Sequence, residues 1–507
     1  MVFSSATELA ATLKVGMEIH VELATRSKMF TAAPNVAHTA YGDAEPNALL
    51  DPVVVGMPGV LPVVNRDAVE MAMLVGLALG CRVAAFTKWD RKSYYYPDLP
   101  KNYQISQYDQ PLCLEGRIEV PVSDEPAAQT STVRIIRAHL EEDAGKLLHE
   151  APGGMPIDHS IVDLNRAGTP LLEIVTYPDL DSPQQVVRFA RMLRRICRTL
   201  GVTEGVMQRG HMRFEPNINV VIEKDGTQVA TPIVEIKNLN SFKALEGAIK
   251  YEYSRQIEEW LETGQVMESG AKSTRGWDDQ RQVTFLQRQK EEAHDYRYFP
   301  DPDLVPLRIS DEWIEQVRGR LPELPEALLN RYVRGLGLNP KDANSIVDEP
   351  TLSDFFEKVL AEGVEPKRAA AMLLNYGARY ANERGCDVVD LGITAAHIKQ
   401  IADLSGADRI GSTAAEQLFG RCCDEPGKSA EELAVAHNLL QVSDMSALEQ
   451  FVDQVLADTK NEKAVTDIKS GKDKAIGALI GQVMKLSKGK ANPKVVGGMI
   501  KKRVRAT

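Results

Sequence analysis

With 507 residues, 43% of them apolar and 26% charged, the chain has an ordinary globular composition and room for about three domains. Its longest nearly unbroken apolar run, Met71 to Cys81, falls well short of the ~20 residues a membrane-spanning helix needs. Met1 to Leu13 hold Glu8 but no Lys or Arg, which fits neither a secretory signal nor a transit peptide. The formal charge of −11 is uneven: Lys460 to Thr507 carry 13 basic against 3 acidic residues, so a basic tail follows an acidic body. Such a tail suits a polyanion partner or is a solvated basic surface.

Residues 14 to about 305 are rich in β patterns, glycine and proline. Lys14–Leu23 alternates cleanly: Val15, Met17, Ile19, Val21 and Leu23 share one face, and Gly16, Glu18, His20 and Glu22 the other. Val133–Leu140, Leu171–Thr176 and Ile233–Lys237 also read as strands. Ser182-Pro183-Gln184-Gln185 opens a helix with an N-cap and a proline at its first position. Phe189, Met192, Leu193, Ile196, Cys197 and Leu200 then form its buried stripe. Arg188, Arg191, Arg194, Arg195 and Arg198 fill the remaining surface, where they contact RNA phosphates or water.

After Pro306 the pattern turns helical. Glu312–Arg320, Glu326–Gly335, Leu352–Leu360 and Arg368–Arg384 are helix candidates, punctuated by Leu321-Pro322 and Asn339-Pro340. Helices continue from Ala414 and close with Lys472–Leu486 and Pro493–Arg503. The fold expected is an α+β N-terminal domain with a mixed or antiparallel sheet (residues 1–305), an all-α helical domain (306–430) and a small all-α tail domain (431–507). The six cysteines form no C-x-x-C pair and are expected to be free thiols in a cytoplasmic protein.

Three glutamates stand inside apolar strands: Glu18, Glu173 and Glu235. A carboxylate between buried neighbours is costly unless it is paired or bound to a metal. His20 projects from the same face as Glu18, and His139 to Lys146 add Glu141, Glu142 and Asp143 at a strand end. Carboxylates with one histidine and no cysteine suit Mg²⁺ or Mn²⁺; the alternative is an outward polar face with a charged turn. Lys88–Tyr108 and Glu291–Pro300 interleave basic and aromatic residues, as a nucleotide- or RNA-holding loop does, or as aromatic packing beneath a loop does. No P-loop is present, since Cys422 stands where the first glycine before Gly427-Lys428-Ser429 should be. A G-x-S-x-G elbow and a Gly/Ser-rich amidase loop are also missing, so an enzyme needing ammonia must obtain it from another subunit.

Taken in order, these segments resemble the B-subunit family of tRNA-dependent amidotransferases. The matches are Gly16–Val21, Pro58–Val63, Tyr96–Lys101 through Tyr108, His139–Lys146, Asn165–Pro170, Lys237–Phe242, Glu291–Pro300, Gly481–Lys485 and Lys488–Pro493. The resemblance spans nearly the whole chain. It implies a cradle with the active site, a helical domain and a tRNA-binding tail, together with a partner amidase subunit and a small third subunit. It also implies a ligase reaction. ATP phosphorylates the side-chain carboxylate of Glu-tRNA(Gln), Asp-tRNA(Asn) or both, and ammonia displaces the phosphate.

By motif match, Glu18, His20, Glu142 and Glu173 would be catalytic and hold Mg²⁺, with Glu141 as a further ligand. On chemistry, Arg297, Lys237 and Asn238 would contact ATP phosphates. Lys485, Lys488, Lys490 and Lys494 would contact tRNA. Relatives often hold zinc with two cysteine pairs, but Phe30–Ala33 and Asp51–Val54 contain none, so no structural zinc is expected. Phe214-Glu215-Pro216 also departs from the family's more usual Cys-Asp-Ala. A tRNA-holding module without chemistry is the competing reading. The related archaeal subunit would need an extra domain before the tail.

Overall fold

The computed structural model describes residues 10–123, 129–151, 154–224, 226–268, 272–290, 295–441, 445–470, 475–487 and 491–506. They divide into two units, Met1–Ala327 and Leu328–Thr507.

In the first unit the alternating stretch becomes the strand Ala10–Glu22. It pairs antiparallel with Pro170–Thr176 on one side and Met212–Lys224 on the other. The described residues form a sheet of 13 strands around it. Along the main path run Val283–Lys290, Lys272–Asp278, Ile233–Lys237, Met212–Lys224, Ala10–Glu22, Pro170–Thr176, Thr130–Glu142, Tyr103–Ser106, Asp90–Ser93 and Phe299–Pro300. Ile233–Lys237 and Lys272–Asp278 are parallel and the other pairs antiparallel, so the sheet is mixed, as the alternating patterns led one to expect.

One face of the sheet is apolar. Val15, Met17, Ile19, Val21 and Leu23 are all buried in the core. The helices Arg66–Ala78, Pro183–Thr199 and Phe242–Thr263 contribute Val69, Met73, Phe189, Leu193, Leu245 and Ile249 to the same core. Burying a side chain of this size contributes about 1.5–3 kcal/mol, which fixes which face is left for function.

The second helix starts where the capping signature placed it, with Ser182 Oγ accepting from Gln185 N (3.3 Å). Its arginines are used within the unit. Arg188 donates to Val122 O (2.8 Å), Arg194 to Gly205 O (2.6 Å), and Arg191 lies over the Phe242 ring.

The cysteine-free segments after the first strand are joined by side chains. Thr31 Oγ1 donates to Asp51 Oδ2, and Asp51 Oδ1 accepts from Val54 N (2.9 Å). Ala33, Val54 and Ala167 pack beside them as a small buried cluster.

The second unit is helical. One core gathers Tyr332, Phe356, Leu373, Ile398, Phe419 and Leu433, and another gathers Leu448, Val452, Leu479, Val483, Val496 and Ile500. The last two helices are Ile476–Leu486 and Pro493–Ala506. All six cysteines are free thiols. Among the described residues no helix is long and apolar enough to cross a membrane.

Candidate functional site

The polar face of the sheet gathers charged side chains because strand register stacks like-facing residues across neighbours. His20 lies opposite Glu173 on one side and Arg213 on the other, and Glu173 lies opposite His139. The next row sets Glu18 opposite Glu215. A third sets Glu22 opposite Leu171, Leu171 opposite Glu141, and Glu141 opposite Ser106.

His20 is the centre. Its Nε2 stands 3.6 Å from Glu173 Oε2, 3.7 Å from Glu18 Oε1 and 3.9 Å from Glu141 Oε1. These gaps are too long for hydrogen bonds. Among the described residues, the buried Nδ1 of the same ring has no hydrogen-bond partner. Two sets of ligand atoms, His20–Glu141–Glu173 and Glu18–His20–Glu215, each fall within 4.8 Å of one another. Oxygen donors with one imidazole, spaced this way, fit a divalent cation of the Mg²⁺ or Mn²⁺ type.

The protonation states bear the stress of so many carboxylates. Burial, and Glu173 next to it, push Glu18 up to about 7. Burial works against charge on His20, but Glu173 outweighs it and raises the imidazole to about 9. Burial also opposes ionisation of Glu173, yet His139, His20 and Lys92 together hold its carboxyl well below the usual range.

Glu142 behaves differently from Glu141, since neighbours on a strand face opposite ways. It pairs with the Lys101 ammonium and accepts from Ile105 N (3.0 Å). Gly168, at φ +80°, leaves room behind it: a Cβ there would lie 3.9 Å from Glu142 Oε2. Asp143 is held by Arg213 (2.7 Å), and burial against that ion pair leaves its pKa lowered.

Lys237 sits further along the same face. Its Nζ bridges Glu215 (2.6 Å) and Glu235 (2.9 Å), and Lys272 also reaches Glu235 (3.1 Å). Asn238 and Arg297 are exposed, each at a left-handed backbone position (φ 65° and 49°) that non-glycine residues seldom adopt.

The two basic-aromatic segments meet. Phe299 pairs with Arg91, which brings Tyr296 edge-on to Tyr94 (6.2 Å) and stacks Tyr298 on Tyr108 (4.0 Å, 9°). Lys92 Nζ lies over the Tyr296 ring. Burial raises Tyr298 to about 12, with Lys92, Glu141 and Glu173 near enough to influence it.

Sequence reading missed Lys92, His139, Arg213 and Glu215 as members of the site. The alternation Arg213, Glu215, Asn217 against Met212, Phe214, Ile218 was the available signal for two of them. In the tail, Lys485 and Lys494 are exposed on the last two helices, and Lys488 and Lys490 lie outside the described residues. Within the Glu291–Pro300 segment, residues 291–294 lie outside them as well.

One buried amine stands behind the site. Lys28 is fully buried and donates to Ala167 O (2.7 Å). Burial lowers its pKa from 10.5 to about 8. Between those values the unfolded chain binds the proton and the folded chain does not, so stability should rise with pH across that window. The expected gain is roughly 3 kcal/mol in the wild type and absent in Lys28→Met, checked by urea unfolding at pH 7.5 and 10. Parallel curves for the two proteins would show that Lys28 does not titrate there.

Residues 13–315 match the family model of the GatB/GatE catalytic domain, and residues 354–504 match that of the GatB domain. The chain is 41% identical over 491 residues to the B subunit of the aspartyl/glutamyl-tRNA(Asn/Gln) amidotransferase of Carboxydothermus hydrogenoformans, covering 97% of this chain and 98% of that one. It is 42% identical to the protein of the same name from Moorella thermoacetica, covering 97% and 99%. The Caldicellulosiruptor saccharolyticus counterpart is also 42% identical, covering 97% and 98%.

Proposed function

The chain belongs to the GatB family, the B subunits of tRNA-dependent amidotransferases, and we propose that its polar sheet face activates and amidates the side-chain carboxylate of Glu-tRNA(Gln), Asp-tRNA(Asn) or both. The observation that carries this is the His20 ring, set within 4 Å of three carboxylates from three strands, with its other nitrogen unpartnered among the described residues. A fold has little reason to gather those charges except around a cation.

The chemistry proceeds in two steps. A carboxylate oxygen of the aminoacyl side chain attacks the γ-phosphorus of ATP, giving an acyl phosphate and ADP. Ammonia then attacks the acyl carbon, and phosphate leaves with the bonding pair. Mg²⁺ bound by His20, Glu141 and Glu173, or by Glu18, His20 and Glu215, would neutralise charge developing on the transferring phosphoryl group.

The chain's own residues do the rest. Lys237 and Arg297 supply cations to phosphate oxygens, and Asn238 offers an exposed amide beside Lys237. Glu142 orients Lys101 at the rim rather than holding the ion. Lys485 and Lys494, with Lys488 and Lys490, contact the tRNA backbone, as cations on a basic tail do. Residues 1–305 then carry catalysis, 306–430 form a helical domain, and 431–507 bind tRNA. Ammonia comes from an amidase partner, with a small third subunit completing a cytoplasmic assembly. Zinc plays no part, the Thr31–Asp51 pair and the small apolar cluster holding that loop.

The test is ATP-dependent amide formation on both mischarged tRNAs by the reconstituted assembly, with metal analysis of the same preparation. Turnover with at least one tRNA and no bound zinc is expected. A well-formed assembly with working glutaminase but no turnover on either tRNA would make this chain a tRNA-holding module.

A further inference from the structure

Among the described residues the strand Val283–Lys290 lies at an edge of the large sheet, and it carries two side chains that no step above uses. Its pairing with Lys272–Asp278 slips by one residue. Thr274 lies opposite Arg288, but the adjacent Arg275 lies opposite Leu286. Gln287 is thus the extra residue of a β-bulge, a device that re-aims a side chain at a sheet edge. The next pair sets Phe285 opposite Gly276. Gly276 has no side chain, and both neighbours take up the room. A Cβ there would stand 2.6 Å from Phe285 Cζ and 2.5 Å from Gln287 Nε2. One bare glycine therefore seats an aromatic ring and a carboxamide side by side. Phe285 is 44% exposed, and Gln287 is exposed as well.

Both groups lie on the side of the sheet that carries the His20 cluster. Trp277, one residue on from Gly276, is buried in the core, so Gly276 faces the polar side. Along that side Gly276 lies opposite Lys237, Lys237 Nζ reaches Glu215 (2.6 Å), and Glu215 lies opposite Glu18. From the strand of Glu18 to that of Gly276 is three steps across the sheet, roughly 14 Å. An extended nucleoside triphosphate spans about as much between its terminal phosphate and its base. An aromatic ring stacks on the face of any base. A carboxamide pairs with the N6 donor and N7 acceptor of adenine, whereas guanine presents two acceptors at the same edge. Ring and amide together fit adenine.

We propose that Phe285 and Gln287 form the adenine subsite for ATP, an inference that rests on the amidotransferase reading above. Phe285 stacks on the base, Gln287 selects adenine over guanine, and Lys237, between them and the His20 cluster, meets the phosphates. The test compares the assembled wild type with Phe285→Ala, Phe285→Trp and Gln287→Ala. Leu286→Ser is the control, because Leu286 lies opposite Arg275 and faces the other side of the sheet. Circular dichroism melting reports whether each variant folds.

Affinity for Mg-ADP, measured by titration calorimetry, is expected to fall about 10-fold or more in Phe285→Ala, the effect of losing one stacked base. Phe285→Trp, which keeps an aromatic face, should bind within about threefold of wild type. In Gln287→Ala the preference for ADP over GDP should fall about 10-fold. Phe285→Ala should raise KM for ATP while kcat at saturating ATP and tRNA affinity stay at the wild-type level, and Leu286→Ser should change none of these. Unchanged Mg-ADP affinity in folded Phe285→Ala overturns the proposal. So does weaker tRNA binding with ADP binding intact, which would give the ring to the terminal adenosine of the tRNA. A wild-type assembly that shows these ADP effects but forms no amide would refute the amidotransferase reading and leave the adenine subsite standing.

Discussion

Glu173→Gln is expected to lower the rate of ATP-dependent amide formation by about 10³-fold while leaving tRNA affinity within a factor of two or so. The substitution keeps the size of the side chain and removes only its charge. That charge does two things. Its Oε2 lies 3.6 Å from His20 Nε2 and 3.7 Å from His139 Nε2, and its Oε1 lies 3.6 Å from Arg137. It also helps raise His20 to about 9. Glutamine would leave the cation site one anionic oxygen short, whereas the accompanying fall in the His20 pKa would free the imidazole lone pair for a cation rather than weaken the site. Single-turnover measurements at saturating Mg-ATP would report the chemical step, and filter binding would report tRNA. A useful control is Arg134→Ala, which breaks the Arg134–Asp179 pair and the contact of the guanidinium with the Tyr177 ring, and should leave the rate unchanged. A Glu173→Gln rate within threefold of wild type would make the carboxylate cluster structural.

The location of this site was legible in the sequence, while its exact membership was not. Glu18, His20 and Glu173 stood out because polar residues recurred at period two among Val, Ile and Leu, and a strand puts such residues on one face. The choice between Glu141 and Glu142 could not be read that way. Both belong to one acidic run, and a slip of one residue exchanges their faces. The pairing of Leu171 with Glu141 is what turns Glu141 toward His20, 3.9 Å away. The meeting of Lys92 and Tyr296 was hidden for a related reason. The residues are over 200 apart, and the pairing of Phe299 with Arg91 that brings them together leaves no local pattern. Glu235, the third odd glutamate, proves to be a paired carboxylate between Lys237 and Lys272.

The fold shows the same division. Lys14–Leu23, Val133–Leu140, Leu171–Thr176 and Ile233–Lys237 all lie within observed strands, save Leu23, one residue past the end of the first. Met212–Lys224 escaped notice because Pro216 sits in its middle, and a proline argues against a central strand. It is tolerated where only one neighbour is paired: the contact with Ile233–Lys237 begins at Asn217. The 22-residue helix Phe242–Thr263 was also passed over, although Ser241 caps it by accepting from Ala244 N (3.0 Å). Its apolar stripe is broken by Glu252 and Gln256, which are buried.

That break leads to the largest stability effect expected in the chain. Glu252 is fully buried and accepts from two sides. Arg255 binds both its oxygens (2.9 Å each), Gln256 reaches Oε2 (3.2 Å), Thr284 donates to Oε1, and Arg275 stands 3.3 Å away. One carboxylate thus holds two arginines together, and burial with Arg255 nearby already lowers the Arg275 pKa. Glu252→Ala would leave two guanidinium groups facing each other in a half-buried site. Breaking such a network costs about 3–5 kcal/mol, because Arg275 loses the Glu252 charge without regaining water and Arg255 keeps only its pair with the exposed Glu259 (2.8 Å). Glu246→Ala, which removes an exposed pair with Lys250 on the same helix, should cost less than about 1 kcal/mol. Urea unfolding of both variants separates the cases, and equal midpoints would mean that Arg255 and Arg275 find other partners. The effect should reach the site as well. Thr284 and Arg275 belong to the outer two strands, and the Arg275 strand runs parallel to the one bearing Glu235 and Lys237. Loosening the network should therefore weaken ATP binding before it slows ammonia attack, a rise in KM for ATP ahead of any fall in kcat.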